Sequence, residues 1–89
     1  MLYMIINRTR AGLTESDMEA LGRIAQAFYD HVPPGVELHG DWTALDYSCT
    51  FALLETDSPD LLETIQAPFR DYVDMEAVPV MPVTGWGKR

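Results

Sequence analysis

The third apolar run of this chain, SCTFALLET over residues 48–56, ends one row of alternating side chains on a carboxylate. Cys49, Phe51 and Leu53 share a strand face, and Glu55 closes it. A carboxyl group at the end of an apolar row can serve as a general acid or base if the row lines a dry cleft. The plainer reading is a strand-end carboxylate that meets solvent or the N–H groups of the next turn. His39 is the second candidate. In VELHGDWTA, residues 36–44, it alternates with Glu37, Asp41 and Thr43 on one face, while Val36, Leu38, Trp42 and Ala44 take the other. A histidine among carboxylates suits proton transfer. It also begins a metal-ligand set, but one strand offers only three mixed donors in a row and no second histidine is close by. No metal site and no cofactor is expected.

The remaining candidates are weaker as chemistry. Cys49 is the only cysteine, so no intrachain disulfide or thiolate cluster forms, and no base stands at a spacing that would activate it. With Tyr3, Asn7, Trp42, Tyr47, Phe51 and Met75 it belongs to a set able to line an apolar pocket with a few polar tips, the usual form of a small-molecule site. The same residues serve equally as core and interface. Arg8 and Arg10 precede a helix start and offer a place for an anion, or are solvated. His31 suits the negative end of that helix. No phosphate-binding glycine loop, dinucleotide fingerprint or Ser/His/Asp constellation is present.

Fourteen acids against six bases leave a net charge of −8, which repels phosphate backbones and anionic bilayers; neither nucleic acid nor membrane is an expected partner. The N-terminal MLYMIINR has no basic leader, and its apolar run is too short to span a bilayer. A cytoplasmic protein is expected.

Spacing sets the secondary structure that carries these residues. LYMIIN, residues 2–7, is apolar on both faces, as a central strand covered on both sides should be. Thr14 followed by Asp17 is a capping pattern, and Met18, Leu21, Ile24, Ala25, Phe28 and Val32 continue at helical spacing, with Gly22 permitting close packing. Pro33 and Pro34 stop that helix. Residues 36–44 make an amphipathic edge strand, paired as a hairpin with residues 48–56. Ser58 and Pro59 open a second helix carrying Leu61, Leu62 and Ile65, which Pro68 ends or kinks. A last strand within YVDMEAVPVMPV must lie at an edge, because Pro79 and Pro82 cannot donate to a ladder. Residues 84–89 form a tail whose Trp86 docks on a partner or stays free.

The order strand, helix, strand, strand, helix, strand specifies one α+β domain over 1–83. It is a ferredoxin-like βαββαβ sandwich, with both helices on one face of a four-stranded antiparallel sheet. The other face of the two central strands is then apolar and uncovered. Each large side chain left there forgoes about 1.5–3 kcal/mol, so a second copy is expected to cover it, giving a homodimer closed as an α+β barrel.

MLYMIINR, DWTALDYSCTFALLETDSPDLLETI and DMEAVPV together resemble the small bacterial proteins of domain-of-unknown-function family 3303. The matching positions are Trp42; Phe51, Leu53 and Glu55; and Asp74, Glu76, Val78, Pro79 and Val80. The third strand departs from the family at Cys49 and Ala52, where arginine or glutamine is common. By fold the family is similar to the dimeric α+β barrels, which include cofactor-free monooxygenases, isomerases and dehydratases as well as proteins without known chemistry. Fold alone selects none of these. The leading expectation is a dimer that binds a small apolar or aromatic molecule in a cleft between sheet and helices. The alternatives are a cofactor-independent enzyme using Glu55 or His39 for proton transfer, and an assembly module with no pocket.

Overall fold

The computed structural model describes residues 1–83; the tail expected over 84–89, with Trp86, lies outside the described residues. Four strands, β1 (Leu2–Thr9), β2 (Val36–Thr43), β3 (Cys49–Thr56) and β4 (Val73–Val80), form one sheet in the order β2-β3-β1-β4. All three pairings are antiparallel. Helix α1 (Glu15–Asp30) joins β1 to β2, and α2 (Pro59–Gln66) joins β3 to β4. This is the ferredoxin-like arrangement, with the two doubly apolar strands in the centre and the amphipathic and proline-bearing strands at the edges.

Local chemistry sets the element ends. Thr14 Oγ1 accepts from the Asp17 N–H while the Asp17 carboxylate accepts from the Thr14 N–H, so two orphan donors of α1 are satisfied reciprocally. Ser58 caps α2 by accepting from the Leu61 N–H, and Pro59 fills the first helical position. Pro68 does not prolong α2; the chain tightens into a 3₁₀ turn over Ala67–Phe69. Gly35 enters β2 at φ +90, a left-handed conformation, and a Cβ there would also meet Leu61 Cδ1 at 3.1 Å.

The core is one cluster between the sheet and the helices. Ile5, Val36, Leu54 and Leu62 are buried, with Tyr3, Phe28, Leu38, Ile65 and Met75 packed around them. Tyr3, Ile5 and Asn7 of β1 thus face the helices, and by alternation Leu2, Met4 and Ile6 face away. The open face carries Leu2, Met4, Ile6, Phe51, Leu53, Val78 and Val80, all partly exposed.

Three expectations need correction. The face assignment of β2 fails after Leu38. The register steps from Leu38 opposite Leu54 to Gly40 opposite Leu53, leaving His39 as the extra residue of a β-bulge. One extra residue reverses the facing of every later residue in the strand. Asp41 and Thr43 therefore join Val36 and Leu38 on the helix side, and Trp42 joins Glu37 and His39 on the open side. Trp42 then lies over Gly40, where a Cβ would meet its ring at 2.9 Å. Secondly, α1 buries none of its residues completely, and Met18, expected in its apolar stripe, is 48% exposed. Thirdly, Gly22 permits no close approach, since nothing lies within 4 Å of a Cβ there.

Candidate functional site

Because α1 stands off the sheet, a cleft of about 470 Å³ opens beneath it. Ile5, Ala52, Leu54 and Met75 form its floor; Leu21, Ala25 and Phe28 of α1 form its roof; Ile65 and Phe69 close one side. This volume falls within the range of small-molecule sites. Three threonines, Asn7, Gln66, Tyr29 and Asp41 bring polar groups to it. Asn7 Nδ2 donates to Thr50 Oγ1 at 3.2 Å, while Asn7 Oδ1 is buried without a partner. Asp41 is the one formally charged residue on the described lining.

Asp41 reaches the cleft only because the bulge turns it inward. There its Oδ2 accepts from the Tyr29 hydroxyl of α1, a hydrogen bond tying the helix to the edge strand. Partial burial, the bond to Asp41 and that carboxylate's charge push the Tyr29 pKa up to about 12. At neutral pH Tyr29 is therefore a neutral donor, held by the one carboxylate on a mostly apolar lining. Sequence reasoning missed Tyr29. Its signal was faint: a tyrosine next to Phe28, on the flank of the helical stripe.

The expected ligand residues divide between places. Asn7 and Met75 line the cleft. Tyr3 faces the helices but belongs to the packed core. Phe51 and Trp42 border the cleft, yet by alternation their side chains belong to the open face, as does Cys49 opposite Arg8. Tyr47 stands in the β2–β3 turn at φ 61 and is 79% exposed.

The two expected acid–base residues do meet. His39 Nε2 lies 2.8 Å from Glu55 Oε1 and 3.7 Å from Glu37 Oε2. Asp41, expected beside them, is on the other side of the sheet. The group faces away from the helices, so it does not address the cleft. Arg8 and Arg10, considered for an anion, instead face carboxylates of β4: Arg8 lies 3.8 Å from Glu76 and Arg10 lies 3.2 Å from Asp74. His31 forms the C-cap of α1, as its position suggested.

The family model described as Domain of unknown function (DUF3303) matches residues 1–89. The chain belongs to that family. No curated protein matches this DUF3303 chain in sequence. Among solved structures, the crystal structure of SCO4226 from Streptomyces coelicolor A3(2) aligns over 92% of this chain and 100% of its own, at TM-score 0.50 and 15% identity. At that identity the likeness is one of fold alone. No helix among the described residues is long and apolar enough to cross a membrane.

Proposed function

We propose that this DUF3303 protein binds a small, largely apolar or aromatic molecule in the cleft between α1 and the sheet. The carrying observation is the cleft itself: about 470 Å³, apolar on floor and roof, with a single carboxylate on its lining. A cleft of that size also speaks against a module whose pocket is filled by its own side chains. Asp41 favours a ligand that brings a hydrogen-bond donor or an ammonium group to an apolar body. In this reading the protein is a homodimer joined through the open sheet faces, which leaves both clefts accessible.

The test uses Nile red, a neutral apolar dye, with two variants on opposite sides of the sheet. Its emission should rise with the native chain and with Leu53→Lys, on the open face and off the cleft lining. It should stay at the free-dye level with Ala25→Trp, which fills the cleft from α1. No rise with the native chain, or a rise that survives Ala25→Trp and vanishes in Leu53→Lys, overturns the proposal.

A second reading, an enzyme using His39 and Glu55 for proton transfer, rests on their 2.8 Å contact. Because the pair faces away from the cleft, its substrate would have to sit on the open sheet face.

A further inference from the structure

The geometry points to a second site on the opposite side of the sheet from the cleft: Glu37, His39 and Glu55 hold a divalent transition cation of the Zn²⁺ class. One imidazole nitrogen and two carboxylate oxygens lie within 4.8 Å of one another. A zinc ion bound at about 2.0–2.2 Å to such donors holds them roughly 3.3–3.5 Å apart when tetrahedral. The His39–Glu55 and His39–Glu37 separations, 2.8 and 3.7 Å, bracket that spacing. Small side-chain rotations therefore complete three corners of the tetrahedron, and water takes the fourth.

Three further features favour a cation over a plain polar edge. Glu37 and Glu55 stand directly opposite each other in the β2–β3 register, where like charges destabilise a strand pair. A cation between them reverses the sign of that interaction. Among the described residues no lysine or arginine pairs with either glutamate, and the Met1 ammonium pairs with Asp57 instead. Finally, a shallow hollow of about 220 Å³ bounded by Gly35, Glu37, Glu55, Thr56 and Asp57 adjoins the carboxylates, leaving an approach for the ion and its water.

The donor set also decides the kind of ion. Nitrogen with two carboxylates suits borderline first-row cations, whereas Ca²⁺ asks for six to eight oxygens and Mg²⁺ keeps most of its water. The bulge belongs to this device. It leaves His39 out of the regular ladder, free to lean across to β3.

The experiment is calorimetric titration of the metal-free full chain with ZnCl₂, repeated with CoCl₂ while recording visible absorption. One ion per chain is expected, with cobalt giving the intense bands of a four-coordinate site. His39→Gln, Glu55→Gln and Glu37→Gln should each weaken binding about tenfold or more. His31→Gln, which removes the other histidine, should leave it unchanged. Circular dichroism checks the fold of each variant. If one fails to fold, zinc-induced shifts of the His39 ring protons in the native chain decide instead. No binding at millimolar zinc leaves a bare His39–Glu55 ion pair and overturns the assignment. So does binding lost with His31→Gln and kept with His39→Gln.

Discussion

At the scale of single residues, the hydrogen bond between Tyr29 and Asp41 is the most distinctive contact of the cleft. A phenol whose pKa is raised from 10.0 to about 12 retains its proton in the folded chain after it would have lost it in the unfolded one. The stability this contributes is intact below about pH 10 and is lost as pH climbs from there towards 12. An absorbance titration of phenolate should show a late step near pH 12 from Tyr29. Tyr29→Phe should remove that late step, and Asp41→Asn should move it to lower pH. A late step that persists in Tyr29→Phe assigns it to another tyrosine and removes the bond from the description of the cleft. The pair was illegible in sequence because its members are 12 positions apart and Asp41 reads as outward-facing until the bulge is known.

Among the elements, the helix ends and strand ranks were legible, because each rests on a residue with one dominant local preference. Thr14 with Asp17, Ser58 with Pro59, and Pro79 each declare a position without help from the rest of the chain. The doubly apolar rows of β1 and β3 likewise identify them as central. The bulge at His39 carries no such mark. It depends on how β2 is held against β3, and one unpaired residue reverses every face after it. That is why His39 and Glu55 were singled out separately yet meet. The distance of α1 from the sheet was equally hidden, since an apolar stripe says which side faces inward but not how closely it packs. A helix with no completely buried residue leans more heavily on its ends. Thr14→Ala should cost about 1 kcal/mol in urea denaturation, and Thr14→Ser should restore most of it. An unchanged midpoint for Thr14→Ala would show that the reciprocal cap contributes nothing to stability.

On the scale of the whole molecule, the helices cover one side of the sheet and leave Leu2, Met4, Ile6, Phe51 and Leu53 partly exposed on the other. Light scattering after gel filtration should give twice the chain mass across a wide dilution range, and Leu53→Glu should give the monomer. A native monomer at every concentration would sink the face-to-face dimer and leave the open face to a different partner. The sheet edges bear on a separate matter. An uncovered edge strand is a template for stacking chain upon chain into cross-β fibrils. Here β2 is broken by its bulge and edged with carboxylates, and β4 bears Pro79, with Pro82 just beyond its end. Neither rim offers the unbroken ladder that a growing fibril requires. Association is thereby steered from open-ended stacking towards assemblies that close on themselves, and amyloid-reactive dyes should stay dark in concentrated solutions of the native protein.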